Sequence, residues 1–210
     1  IIISTTPSFN KKISNKSNKF YYTHHSLGLL TNNYVGNHLK DFDFICVNNQ
    51  DQFDQLLKLE LVDSKKILKE RYYDLDLIFN DLKNNNKNKK INKTILIASS
   101  FYGNSIIDNL DLSFLKKLSE NFYIIFRPHP ESIKNESHLN KLKKIENLNL
   151  KNLTVSFNDT KSDISKSDLL ITDYSGITLS FSYIKKIRSF NLIKNKSDLD
   201  VLKKNIQLET

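Results

Sequence analysis

The segment KSDLLITDYSGITLSFSYI, residues 166–184, reads as a strand, a tight turn and a helix. Leu169, Leu170 and Ile171 form a short apolar run of the length expected for a buried parallel strand, and Asp173-Tyr174-Ser175-Gly176 breaks it. Ile177, Phe181 and Ile184 then recur at i, i+4 and i+7 on one helical face. Ser175 and Gly176 fall where the first free backbone N–H groups of that helix would lie, at the positive end of its dipole, which suits an anion such as a phosphate group. Ser175 and Thr178 add hydroxyl donors. Gly176, one of only four glycines, lets a ligand approach the backbone. A helix start built from Ser, Asp and Gly needs no ligand, so the turn alone leaves both readings open.

Around this segment the second half of the chain alternates strand and helix. Strand-like runs at 94–98, 122–126, 153–157 and 189–193 are separated by helical patterns marked by Leu112, Leu115 and Leu118, by residues 139–145 and by Ile164. Repeated β-α units imply a parallel sheet. The loop from Ser99 to Ser105 follows the first of these strands, a standard nucleotide position, where Ser99 and Ser100 are candidate donors or members of a plain polar loop. Arg127-Pro128-His129-Pro130 ends the next strand, and each proline keeps its predecessor extended. Arg127 suits bidentate phosphate binding, and His129 suits hydrogen bonding or protonation of a leaving oxygen; a strand-ending turn is the competing reading. Asp168 belongs to the amino end of the strand. Asp173 belongs to its ligand end, where it suits orienting the Ser175 loop or a neighbouring histidine, and it joins Arg127, Ser175, Gly176 and Thr178 as the expected phosphate-binding set.

The first half reads as strands at 1–4, 20–23 and 42–47, a helix at 50–59 with Phe53, Leu56 and Leu57 on one face, a short element at 61–68 and a helix at 75–82. His24-His25-Ser26 lies at the carboxyl end of the second strand. Adjacent histidines lack the spacing of a metal pair, and no acidic or cysteine partner is spaced nearby, so no metal site is expected. The run KNNNKNKKINK, residues 83–93, is a low-complexity polar linker. The expected division is therefore 1–82, linker 83–93, and 94–210, with a further helix in the tail from Ser197.

The formal charge is +9, yet only Arg71, Arg127 and Arg188 are arginines among 32 basic residues. A diffuse lysine excess fits a solvated surface, with peripheral contact to anionic membrane compatible, and argues against nucleic-acid binding, which favours arginine forks. The lone Cys46 sits in an apolar run and is expected to be a buried small hydrophobe, which excludes an internal disulfide. No apolar stretch reaches the roughly 20 residues needed to span a bilayer. A cytoplasmic location, soluble or peripheral at the inner face of the membrane, is the expectation.

The run SDLLITDYSGITLSF resembles the SDxLITDYS segment of the CDP-glycerol glycerophosphotransferase family, the teichoic-acid polymerases and their capsule-synthesis relatives. YYTHHSLGL is similar to that family's histidine motif, FDFICVNNQDQFDQL to its following strand and helix, and FRPHPES to its HP motif, all in order. The resemblance implies an α/β fold of the GT-B type, two Rossmann-like halves with parallel sheets, the first incomplete here. It implies transfer of glycerol phosphate from a nucleotide-activated donor, CDP-glycerol, to a lipid-linked polymer acceptor, without cofactor or metal. His25 is then the base that deprotonates the acceptor hydroxyl, and His129 acts on the donor side. Three departures stand out: the place of the family's GYxRxD turn reads Arg71-Tyr72-Tyr73-Asp74 without its glycine; the family's APTYR-like loop lacks its arginine; and no acid follows Gly176 in the helix. They keep two alternatives open, a glycosyltransferase using a nucleotide sugar and a non-catalytic module of the same architecture.

Overall fold

The computed structural model describes residues 1–5, 18–24, 27–28, 37–58, 60, 62–85, 93–101, 105–173, 175–187 and 189–192. These residues form two compact units that meet in sequence between Tyr73 and Asp74.

The first unit carries β1 (Ile2–Ser4), β2 (Phe20–Thr23), β3 (Phe44–Val47), α1 (Gln50–Lys58) and β4 (Ile67–Lys69). Its sheet is parallel throughout, in the order β1-β2-β3-β4. Tyr22, Leu39, Phe42, Ile45, Val47 and Leu56 make its core. Alternation along β3 buries Ile45 and Val47 and leaves Cys46 on the other face, half-buried, where the apolar run alone suggested full burial. Asp43, just before β3, clips the neighbouring strand: its carboxylate accepts from the Phe20 N–H at 2.9 Å while its own N–H donates to the Phe20 carbonyl.

The second unit begins within α2 (Tyr73–Asn85) and continues as β5 (Thr94–Ala98), α3 (Ile106–Asn109), α4 (Leu112–Ser119), β6 (Tyr123–Arg127), α5 (Glu136–Glu146), β7 (Leu153–Val155), α6 (Thr160–Lys166), β8 (Leu169–Thr172), α7 (Ile177–Lys185) and β9 (Phe190–Asn191). The strands pair in parallel in the order β7-β6-β5-β8-β9. All five residues of β5 are buried, as expected of a strand covered on both faces. The register aligns Ile95 and Ile97 with Ile124 and Phe126 on one side and with Leu169 and Ile171 on the other. Those side chains face one core with Ile106, Ile107, Leu115, Leu142 and Ile145 from α3, α4 and α5. Asp168 repeats the device of Asp43: it precedes β8, accepts from the Thr94 N–H at 2.7 Å and donates its own N–H to the Thr94 carbonyl.

The strand, turn and helix read from residues 166–184 are β8 and α7. The boundary between the units falls within α2, after its first residue, and α2 extends through the first three residues of the stretch read as a linker, whose residues 86–92 lie outside the described residues. The expected tail helix also lies outside them. No described helix is long and apolar enough to cross a membrane.

Candidate functional site

In the second sheet, Ala98 pairs with Arg127 on one side and with Thr172 on the other, so β5, β6 and β8 end level. The chain builds β5, β6 and β7 outward in one direction, then returns to add β8 and β9 on the opposite flank. The β5/β8 boundary is therefore a topological switch point, whose carboxyl end is where open α/β sheets hold ligands. Ser99-Ser100, Pro128-His129 and Asp173-Ser175-Gly176 all leave the sheet from this edge.

Asp173, expected among the phosphate-binding residues, faces inward. Its carboxylate accepts from the Ser100 N–H at 2.8 and 3.1 Å and from the Ile106 N–H at 2.7 Å, and it is 2% exposed. Burial pushes its pKa up, and the backbone N–H groups of Ile106 and Ser100 oppose that shift. A buried anion already answered by these donors organises the loop after β5; it does not bind a second anion. Ser99 acts in the same structure: its hydroxyl accepts from the Ile107 N–H at 3.1 Å and donates to the Ser100 carbonyl. Asp173 and Ser99 together satisfy the first turn of α3. The buried Ser100 hydroxyl lies beside Asp173 and completes no hydrogen bond of ordinary geometry.

Arg127 also departs from expectation. One terminal nitrogen of its guanidinium donates to the Asp163 carboxylate at 2.8 Å and to the Asn158 carbonyl at 2.5 Å. The other nitrogens make no hydrogen bond among the described residues. Strand alternation sets Arg127 on the face opposite Ile124 and Phe126, toward α6, which carries Asp163.

His129 remains at the edge. Its Nδ1 accepts from the Glu131 N–H at 3.1 Å and so caps the 3-10 helix Pro130–Lys134. With Nδ1 accepting, the neutral imidazole carries its proton on Nε2 as a donor. Phe101, from the loop after β5, lies against the ring with centroids 4.4 Å apart and planes inclined by 33°. Burial lowers the His129 pKa; the Glu131 carboxylate opposes this and the Arg127 charge adds to it. His129 is thus suited to donating a hydrogen bond as a neutral imidazole.

Gly176 opens α7 with φ −60° and ψ −12°, and no side chain caps that helix. Its usefulness lies in the missing Cβ and not in a left-handed backbone. By contrast, Asp111 caps α4 and Asn135 caps α5. Thr178, expected to aim its hydroxyl at a phosphate, donates instead to the Asn191 side chain at 3.2 Å and ties α7 to β9. The second unit therefore brings Ser175, Gly176 and His129 to one sheet edge, while Arg127, Asp173 and Thr178 face protein partners.

His25, the expected base, lies outside the described residues. Its described neighbours are anchored from the segment after β3: Asn48 donates to the His24 carbonyl, Asn49 to the Leu27 carbonyl and Gln52 to the Gly28 carbonyl, at 2.9, 2.9 and 2.7 Å. The Tyr22 hydroxyl and His24 Nδ1 pair at 2.9 Å. Sequence reasoning passed over these amides; their signal was a cluster of Asn and Gln directly after a buried strand. Among the described residues, no three His, Cys, Asp or Glu side chains are grouped as a metal ion requires.

Residues 65–188 match the model of the family described as CDP-glycerol:poly(glycerophosphate) glycerophosphotransferase. Among solved structures the chain is similar to the wall teichoic acid polymerase TagF, at 18% identity and TM-score 0.58, over 90% of this chain and 53% of that one. A variant of that polymerase gives 18% identity and TM-score 0.64 over 90% and 53%, and the same variant soaked with CDPG gives 17% and 0.61 over 90% and 52%. The chain spans about half the length of these structures. The two parallel-sheet units match their GT-B-like α/β fold. Comparison with curated proteins gives no match.

Proposed function

Because this chain belongs to the CDP-glycerol:poly(glycerophosphate) glycerophosphotransferase family, we propose that it transfers glycerol phosphate from CDP-glycerol to a hydroxyl of a lipid-linked polymer. The observation that supports this reading is that the turns carrying His129, Ser175 and Gly176 leave the same carboxyl edge of the second sheet, the edge that holds its switch point. The free N–H groups at the start of α7 meet the donor diphosphate, and Gly176 lets it approach. His129 donates from Nε2 to the same group. The acceptor hydroxyl attacks the phosphorus that bears glycerol, the bond to the CMP oxygen breaks, and the hydroxyl proton passes to His25.

Negative charge grows on the departing CMP as that bond breaks. Fixed N–H donors that need no reorientation favour this change over the ground state. No metal or cofactor enters the scheme. The reaction is assigned to the cytoplasmic face of the membrane, where the lysine-rich surface suits peripheral contact with anionic lipid.

The test is CMP release and polymer extension from CDP-glycerol and a lipid-linked primer, in wild type and in His25→Ala and His129→Ala. Retention of the wild-type rate by both variants contradicts the mechanism. One observation favours a second reading: α7 has no acid in its first turn, where the resemblance leads one to expect a carboxylate in the helix. A nucleotide sugar, read through the same diphosphate, would then be the donor, and it would compete with CDP-glycerol more tightly than CMP does.

A further inference from the structure

The carboxyl end of the second sheet holds a charged assembly that the transfer scheme leaves unused. Arg127 and Asp163 pair at 2.8 Å with side-chain exposures of 13% and 2%. The Ser156 hydroxyl lies 2.9 and 2.8 Å from the two Asp163 oxygens, and the Asn158 N–H reaches that hydroxyl at 3.3 Å. Arg127 closes the ring by donating to the Asn158 carbonyl. At the far end of α6, the Ser167 hydroxyl donates to the Asp163 carbonyl at 2.7 Å. Three segments meet here: the end of β6, the turn after β7, and α6. Arg127 leads directly into Pro128 and His129, so whatever fixes Arg127 fixes the course of that turn.

Swinging this guanidinium off Asp163 toward a diphosphate would abandon a buried carboxylate. A buried charge left without its partner is the costly arrangement, whereas the intact pair is close to neutral in free energy. We propose that Asp163 is a positioning residue: it holds Arg127, and through it the Pro128-His129 turn, and it removes Arg127 from the groups that meet the donor's phosphates. The consequence for the donor rests on the transfer reading above; the geometry does not.

The sign of one variant separates the two roles of Arg127. If Arg127 were a phosphate ligand restrained by Asp163, Asp163→Asn would release a cation and tighten CDP-glycerol binding. If Asp163 positions the turn, Asp163→Asn weakens binding, by about 3- to 10-fold, the coupling expected of residues in one network. The experiment uses the full chain as wild type, Asp163→Asn, Arg127→Met and the double variant. Melting temperature, CDP-glycerol titration and NMR of the His129 imidazole, assigned through His129→Gln, are measured on each. Each single variant is expected to melt lower, the double variant to recover most of the loss, and the His129 signal to move in Asp163→Asn. Tighter donor binding in Asp163→Asn, additive losses in the double variant, or an unmoved His129 signal would overturn the proposal. Should wild type bind no CDP-glycerol, the transfer reading fails, and the melting cycle and the His129 spectrum still decide the role of Asp163.

Discussion

The two sheets share a construction and differ in one respect that bears on function. Both are parallel, and each has an aspartate just before a strand, Asp43 or Asp168, clipping the start of the neighbouring strand. The first sheet, as described, runs β1-β2-β3-β4 in sequence order, so each loop at its carboxyl edge lies beside the one before it. The second reverses at β5, and the loops after β5 and β8 part to opposite faces. Adjacent strands whose connections diverge leave a crevice; α7 starts after β8 without a side-chain cap, and His129 leaves the same sheet edge after β6, against Phe101 of the loop after β5. The comparison teaches that strand order, more than composition, gives the second sheet the crevice that the proposed donor site uses.

The sharpest way to break this comparison is to alter that crevice alone. His129→Ala should lower the transfer rate about 10²-fold or more, the usual cost of removing one donor aimed at developing charge. Equal loss on changing an exposed residue of the first sheet such as Ile3 would dissolve the distinction. Asp173→Ala comes next. It strands the buried N–H groups of Ser100 and Ile106, and each should cost about 1–3 kcal/mol on a denaturant curve.

A smaller effect sharpens the shared device. Asp168→Ala removes a bond next to the fully buried β5 and should cost about 1 kcal/mol. Asp43→Ala removes a clip whose side chain is 37% exposed and should cost less. Chemical denaturation of the two variants ranks them.

The smallest effect is a pH dependence. The folded pKa of His129 lies below its unfolded value of about 6.5, so the native state binds fewer protons in between. The stability contributed by neutral His129 is full above the unfolded value and is lost as pH falls through the folded one. An NMR titration of the ring should have its midpoint below that of a free imidazole, and His129→Gln should remove this component of acid sensitivity. A midpoint at or above the free value contradicts the neutral-donor role.

Much of the fold was legible in the sequence because it rests on local pattern. Short apolar runs marked β5 and β8, and the i, i+4, i+7 spacing marked α7. The roles of polar side chains were less legible because their partners are distant in sequence. Arg127 meets Asp163 from 36 positions away, and Asp173 reaches Ser100 and Ile106 from 73 and 67 positions away. A motif shows which polar residues sit at a strand end, but strand alternation and the neighbouring loop decide which face protein and which face solvent. Thr178 illustrates this: its place in the first turn of α7 was read correctly, while its hydroxyl turned to Asn191.

The most direct test of the donor assignment is calorimetric titration of the chain with CDP-glycerol, CMP and a panel of nucleotide sugars, repeated on Gly176→Val. The account predicts that CDP-glycerol binds in preference to the rest and that a Cβ branch at position 176 abolishes binding while the melting temperature holds. Binding to Gly176→Val as tight as to wild type, or no binding of any nucleotide to folded wild type, would contradict it.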